Sequence, residues 1–380
     1  MEILSIMRKV VVASDSFKGS LSSWQVAEAV EKTFHDMMPG CDVVKLAVAD
    51  GGEGSMDALM TTLNGRSASL MVSDPLGRPV EAEYALIDGL TAVIEMARAS
   101  GLTLLHPEER NPLLTSTYGT GQLIADALDK GCRRFMICIG GSATNDAGTG
   151  MLEALGYRFM DAEGNLLKCC GGVLNRICSV DVLNVHPALK ESEFIVACDV
   201  DSPFCGHAGA AYVYGPQKGA TPEMVEMLDE GMRYFAQIIS RVTGVDVTDM
   251  PGAGAAGGLG GALKSFLNAQ MRRGADMVLD AVDFDMDITD ADLVITGEGR
   301  IDSQTLTGKL PYVVAERAAS RNIPAVALCG CAEVDALPMF RTICPVTPED
   351  MPLSLAMDPL VASMNIQNAV REFLMKNITD

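Results

Sequence analysis

Histidine, tryptophan and basic residues are all scarce in this chain, and each shortage excludes something. There are four histidines (His35, His106, His186 and His207), one tryptophan, and only 5 % aromatic residues. The histidines lie far apart. The eleven cysteines are odd in number and irregular in spacing: Cys169 and Cys170 are adjacent, and Cys329 and Cys331 flank a single glycine. This pattern argues against a Cys/His zinc site and predicts reduced, mostly buried thiols. Lysine and arginine number 29 against 50 acidic residues, a net charge of −21. A surface of that sign repels nucleic-acid phosphate and anionic lipid. With no basic run and no aromatic–basic interleaving, neither nucleic acid nor membrane is expected as a partner. A small phosphate-bearing ligand stays open, because backbone N–H groups, a few lysines and a metal ion can invert the field locally. No unbroken apolar run reaches about 18 residues, so no membrane span is expected. The start, MEILSIMRKVVVASD, lacks the parts of a signal peptide, and Met1–Ile6 reads as a short extension. A cytoplasmic location is expected. No Walker A motif is present: Lys309 follows Gly308, but Leu310 stands where Ser or Thr is needed, and position 303 is Ser303. The protein-kinase HRD and DFG set is missing too.

What is present is a globular composition, 48 % hydrophobic and 21 % charged over 380 residues, which suits two domains. Short apolar runs alternate with helical stretches. Lys9–Ser14, Val43–Ala49, Arg134–Ile139, Phe194–Cys198, Asp292–Thr296 and Pro324–Cys329 read as strands. Ser22-Ser23-Trp24-Gln25 is a capping box opening a helix whose face carries Trp24, Ala27, Val30 and Phe34. After the turn Asp74-Pro75-Leu76-Gly77, Val80–Leu86 and Ala92–Met96 read as strands of a meander. The pattern predicts an α/β fold in two domains. A discontinuous, doubly wound parallel-sheet domain of Rossmann or flavodoxin type spans 7–71 plus 285–380. An inserted mixed α/β domain spans 72–284.

In open parallel sheets, ligands bind at the carboxyl ends of strands. Here nearly every predicted strand ends in a polar or glycine-rich turn. These turns are Asp15–Ser20, Asp50–Gly54, Gly140–Gly150, Asp199, and Gly297–Asp302. The Gly140–Gly150 loop is the best phosphate cradle: a strand before it, a helix after it, glycines and hydroxyls within it. Gly140, Gly141, Ser142, Thr144, Asn145 and Gly148 are its candidate nucleotide contacts. Asp146 could hold a metal or cap the next helix. Pro251–Gly261 contains a literal GxGxxG with no clear strand before it. That makes a dinucleotide fingerprint weak and leaves Gly254 and Gly257 either closing over a nucleotide or allowing close backbone packing. Phosphoryl transfer needs cations, carboxylates for Mg²⁺ and a base for the hydroxyl. Lys18 and Arg300 are the cation candidates. Lys218, in Gly215-Pro216-Gln217-Lys218-Gly219, is a third, although a lysine in a turn is ordinarily solvated. Asp50, Asp199 and Asp302 are the carboxylate candidates for metal or base. The acidic stretch Asp280–Asp290 lacks the central glycine and terminal glutamate of an EF-hand and reads as a solvated turn.

Seven segments together resemble the bacterial glycerate kinases, in that family's order. They are DSFKGSLS (Asp15–Ser22), ADGGEGS (Ala49–Ser55), YGTGQLI (Tyr118–Ile124), IGGSATNDAGTGM (Ile139–Met151), GPQKGA (Gly215–Ala220), PGAGAAGGLGGAL (Pro251–Leu263) and DLVITGEGRIDSQTLTGK (Asp292–Lys309). Ser55 and Ala147 depart from it conservatively. The resemblance implies ATP-dependent phosphorylation of D-glycerate with Mg²⁺, the 2-phosphate expected over the 3-phosphate. It also implies two α/β domains with the site in the cleft between them, and a homodimer is compatible with it. On this view Ser16, Lys18 and Arg300 would face the substrate carboxylate. Asp50 or Asp199 would serve as base, and Asp50, Asp199 and Asp302 would be available to the metal. Two other readings remain open from the residues alone: a silent sugar-acid or nucleotide sensor, and a dinucleotide-dependent dehydrogenase resting on Gly252, Gly254 and Gly257.

Overall fold

The structure, a computed structural model, describes residues 7–302, 305, 308–334 and 336–378. The extension Met1–Ile6 and part of the DSQTLTG segment fall outside the described residues. In chain order the strands are β1 (Lys9–Val12), β2 (Asp42–Lys45), β3 (Arg66–Ser73), β4 (Pro79–Ile87), β5 (Thr91–Glu95), β6 (Arg134–Cys138) and β7 (Arg158–Met160). They continue as β8 (Ser179–Asp181), β9 (Glu193–Ala197), β10 (Gln270–Arg272), β11 (Leu293–Ile301), β12 (Ala325–Ala332) and β13 (Thr342–Pro345). Two compact units result. The first comprises Met1–Asp50, Asp57–Asn64 and Ala275–Asp380, the second Gly51–Met56 and Gly65–Gly274.

The first unit is built on a wholly parallel sheet in the order β2-β1-β11-β12-β13. Counted within the unit this is 2-1-3-4-5, the flavodoxin order, whose switch point lies between β1 and β11. Val10, Val11 and Val12 are fully buried, as expected of a central parallel strand. The helix Ser23–Met37 starts at the capping box read from the sequence, with Ser22 and Gln25 bonded reciprocally. Its buried face carries Val26, Ala27, Val30 and Phe34. Trp24 is only half-buried, beneath the ammonium of Lys45 at 4.5 Å. The C-terminal helix Pro359–Ile378 adds Ile366, Val370, Phe373 and Leu374 to the same core.

The second unit has a six-stranded mixed sheet, β10-β9-β6-β5-β4-β3. β3, β4 and β5 form the antiparallel meander, and β5, β6, β9 and β10 run parallel. Its main core draws on residues from Val72 to Ala269, with a small separate cluster of Ala211, Val225 and Leu228.

Three local expectations give way to the structure. β11 does not stop at Thr296 but runs through Arg300 and Ile301, paired with Cys331 and Ala332 of a similarly extended β12. Glycines make this possible: a Cβ on Gly330 would lie 2.5 Å from the Gly299 carbonyl oxygen. The boundary drawn before residue 72 cuts β3, which pairs along its whole length with β4. β3 is mostly exposed, so its alternation gives a weak signal. The acidic stretch Asp280–Asp290 is not a solvated turn. It holds the end of the helix Gly274–Ala281 and the short helix Phe284–Asp287. Arg317 binds Asp276, Asp280 and Asp285, and Lys9 binds Asp290.

Candidate active site

At the switch point of the first unit, β1 delivers Asp15. Its backbone N–H donates to the Gly297 carbonyl of β11 at 2.9 Å, and its Oδ1 accepts from Ser16 N–H at 2.7 Å. Ser23 fixes the neighbouring segment: its Oγ donates to the Ser14 carbonyl at 2.6 Å and accepts from Val48 N–H at 2.9 Å. Asp15 is 7 % exposed. Burial, then the charge of Asp50, pushes its carboxyl up to about 7; Glu298 adds to the rise, and Ser16 and Lys18 oppose it. Asp15 thus shares its surroundings with two other carboxylates and one cation. A tight turn follows, closed by Ser20 N–H on the Phe17 carbonyl, with Gly19 at φ +78. It leaves Lys18 exposed and Ser16 half-buried.

Glu298 lies in β11, buried, accepting from Thr305 Oγ1 at 2.8 Å and from Lys309 Nζ at 3.4 Å. Burial is the first cause raising its carboxyl above the ordinary range. Lys309 also reaches Asp302 at 3.8 Å. Arg300 is on the strand, its side chain 60 % exposed and paired with Glu333. Sequence reasoning placed Lys18, Asp50, Arg300 and Asp302 here but missed Asp15 and Glu298. Their signal was position: Asp15 is the first charged residue after a buried strand, and Glu298 stands between two glycines inside another.

In the second unit the loop after β6 surfaces only at Gly140 and Gly141; Ser142 through Gly150 are buried. Leu102 N–H donates to the Gly141 carbonyl, Ala143 N–H to the Ser100 carbonyl, and Thr115 Oγ1 to the Ala143 carbonyl. Asp146 anchors the far end. Its carboxylate accepts from Thr117 N–H (2.7 Å), Thr117 Oγ1 (2.8 Å), Gly148 N–H (3.1 Å) and Gly150 N–H (3.2 Å). Of the two roles open to Asp146, the structure therefore shows capping. Lys218 is 1 % exposed and donates to Ser142 Oγ at 2.8 Å and to the Thr144 carbonyl at 2.7 Å, against the expectation of a solvated turn residue. Asn145 donates from Nδ2 to Met232 Sδ. Its Oδ1 and Thr144 Oγ1 are buried and find no partner among the described residues.

Gly254 and Gly257 pack against backbone. A Cβ on Gly257 would sit 2.0 Å from the Thr144 carbonyl oxygen, and one on Gly254 2.1 Å from that of Pro203. Among the described residues no strand leads into Pro251–Gly261, so the dinucleotide fingerprint lacks its context. Asp199, just past β9, is exposed and accepts from Gly274 N–H at 2.9 Å. No group of three or more His, Cys, Asp or Glu side chains is placed to hold a metal ion among the described residues.

The sequence profile of the glycerate kinase family matches residues 10–376. The chain belongs to the glycerate kinase family. It is 49 % identical over 334 residues to a glycerate kinase of Bacillus subtilis (strain 168), covering 88 % of this chain and 87 % of that one. It is 46 % identical over 323 residues to the glycerate 2-kinase of Escherichia coli (strain K12), covering 85 % of each. A crystal structure of a Salmonella typhimurium LT2 protein described as glycerate kinase 2 superposes with a TM-score of 0.92. The two are 43 % identical, and the match covers 98 % of this chain and 99 % of that one. The structural match agrees with the α/β architecture read from the sequence.

Proposed function

We propose that this chain transfers the γ-phosphoryl group of ATP to the 2-hydroxyl of D-glycerate, giving 2-phosphoglycerate. The observation that carries the reading is the family match along 10–376, joined by high identity to a glycerate 2-kinase. The geometry supplies the chemistry. Asp15, buried and beside two further carboxylates, is the group best suited to take the substrate hydroxyl's proton, since a base works best with a pKa near the working pH. This role passes to Asp15 in place of Asp50 or Asp199. Lys18, exposed beside it, and Ser16 would receive the glycerate carboxylate. Arg300 would join them on exchanging Glu333 for substrate.

The donor set suits Mg²⁺, which takes one or two carboxylates and completes its octahedron with phosphate oxygens and water. Asp50, close enough to Asp15 to raise it, would be its first ligand, with Asp302 as a further candidate from the same unit. The metal's contribution when bound is to neutralise charge on the phosphoryl group. Gly140, Gly141 and Ser142 would present the loop to the ATP phosphates, with Thr144, Asn145 and Gly148 shaping it from within and Gly254 and Gly257 packing behind. We place the reaction in the cytoplasm. Free thiols throughout support this, and among the described residues no helix is long and apolar enough to cross a membrane.

The test is an ADP-release assay with purified protein, Mg²⁺-ATP and a panel of small hydroxy acids, followed by phosphorus NMR of the product. Glycerate-dependent ADP release with phosphorus coupled to the C2 proton is the expected result. Coupling to the C3 protons would move the product to the 3-phosphate. Turnover only with another hydroxy acid would keep the phosphoryl transfer and replace the substrate.

A further inference from the structure

Lysine is almost never fully buried unless it is paired with a carboxylate. Lys218 is buried and, among the described residues, bonded only to neutral acceptors, Ser142 Oγ and the Thr144 carbonyl. The sequence drives it inward. Pro216–Lys218 is one tight turn with proline at its start, and Gly219 ends it at φ +89. A Cβ on Gly219 would lie 2.2 Å from the Arg110 carbonyl oxygen, so only glycine lets the turn settle onto that backbone. The charged group felt at Lys218 is Asp146, whose carboxylate is engaged by Thr117, Gly148 and Gly150 and makes no bond to the lysine. Thr144 Oγ1 and Asn145 Oδ1, buried and without a partner among the described residues, belong to the same short stretch of loop. An apolar side chain would fill this space at less cost than a desolvated ammonium. The charge therefore needs a purpose, and the loop it holds ends at the exposed Gly140 and Gly141.

We propose that Lys218 is a positioning residue for the nucleotide: its ammonium ties Ser142 and Thr144 into one fixed turn and places a positive charge behind Gly140–Gly141 that attracts the ATP phosphates. This rests on the kinase reading above. Burial pulls the Lys218 ammonium down to about 7, with Asp146 opposing. The charge behind the loop is therefore about half present near pH 7, full only well below it, and fades as pH rises further, unless a bound polyanion holds the proton in place.

The experiment compares wild type with Lys218→Met and Ser142→Ala, measuring kcat and the KM values for Mg²⁺-ATP and for glycerate from pH 6 to 9, with thermal melts to confirm folding. Lys218→Met is expected to raise KM for ATP at least about tenfold at pH 6.5, with KM for glycerate within about twofold. The ratio of variant to wild-type KM for ATP cancels ATP's own titration, and it should narrow above pH 8. Ser142→Ala, which keeps the charge and removes one tether, should raise KM for ATP by about threefold. It carries the test if the methionine variant does not fold. An unchanged KM for ATP in either folded variant would overturn the proposal. So would a pH-independent ratio, or a uniform fall in kcat with both KM values kept. A wild type without any hydroxy-acid-dependent ADP release would remove the kinase reading, and this proposal with it.

Discussion

Asp15 and Asp146 are both buried aspartates in turns that follow a buried parallel strand, and their surroundings differ sharply. Asp146 accepts from three backbone N–H groups and one hydroxyl, each at 3.2 Å or less. Asp15 accepts from one backbone N–H and sits within the field of Asp50 and Glu298. Burial raises both. At Asp146 four donors oppose that desolvation without cancelling it, and the carboxylate builds a loop. At Asp15 a single backbone donor opposes it while Asp50 and Glu298 add to the rise, the kind of environment found at functional sites. The same contrast divides the two units. In the first, buried carboxylates gather beside the parallel strands, Asp15 just past β1 and Glu298 within β11. In the second, side chains are consumed in holding a backbone that surfaces only at Gly140 and Gly141.

The largest effect expected from this contrast follows Asp15→Asn. Loss of the proposed base should lower kcat by about a thousandfold, the middle of the range a positioned base contributes. Stability should move the other way. A carboxyl raised from an ordinary 3.8 to about 7 favours the fold when protonated. Its penalty is absent below pH 4, grows as pH rises, and is complete above 7. Asparagine removes it, so the metal-free variant should gain up to about 4 kcal/mol at pH 8 and progressively less towards pH 4. Urea unfolding in EDTA at both pH values measures this. A variant that is inactive and also destabilised at pH 8 would make Asp15 a second Asp146.

The next effect is the mirror image. Asp146→Ala leaves the N–H groups of Thr117, Gly148 and Gly150 buried without an acceptor. It should cost on the order of 3 kcal/mol at neutral pH. The measurement is the same unfolding curve. Stabilisation here would dissolve the distinction between the two aspartates.

How far this could be seen in advance depended on whether a property was local. The β1 strand, the Ser22 cap, the meander and the loop after β6 are set by alternation, capping chemistry and glycine spacing over a few residues. All stand in the structure close to where the sequence put them. Lys218 was visible only as a lysine in a turn, because its burial depends on Gly219 meeting Arg110 more than a hundred residues away. Asp15 stood in the segment that carried Lys18 and Ser16, yet what marks it is the company of Asp50 and Glu298, brought together by β1 pairing with β11. The acidic stretch before β11 reads as solvated until Arg317, on a later helix, is seen to gather its carboxylates.

The smallest expected effect separates motif from mechanism inside a single segment. DSFKGSLS begins with Asp15 and ends with Ser22, and resemblance to a family weights both alike. Physically they differ. Ser22 Oγ accepts from Gln25 N–H at 3.3 Å while Gln25 Oε1 accepts from Ser22 N–H at 2.9 Å, which satisfies two donors at the start of the helix Ser23–Met37. Removing that hydroxyl by Ser22→Ala should cost about 1 kcal/mol, the usual worth of an N-cap. Nothing in the cap touches Asp15 or Lys18, so kcat should stay within about twofold. A fall in kcat as large as that of Asp15→Asn would mean that the helix start helps aim the carboxylates, and that the turn between them works as one rigid piece. A loss of stability alone would show that the eight residues of one motif divide cleanly, the first given to the proposed reaction and the last to the helix that supports it.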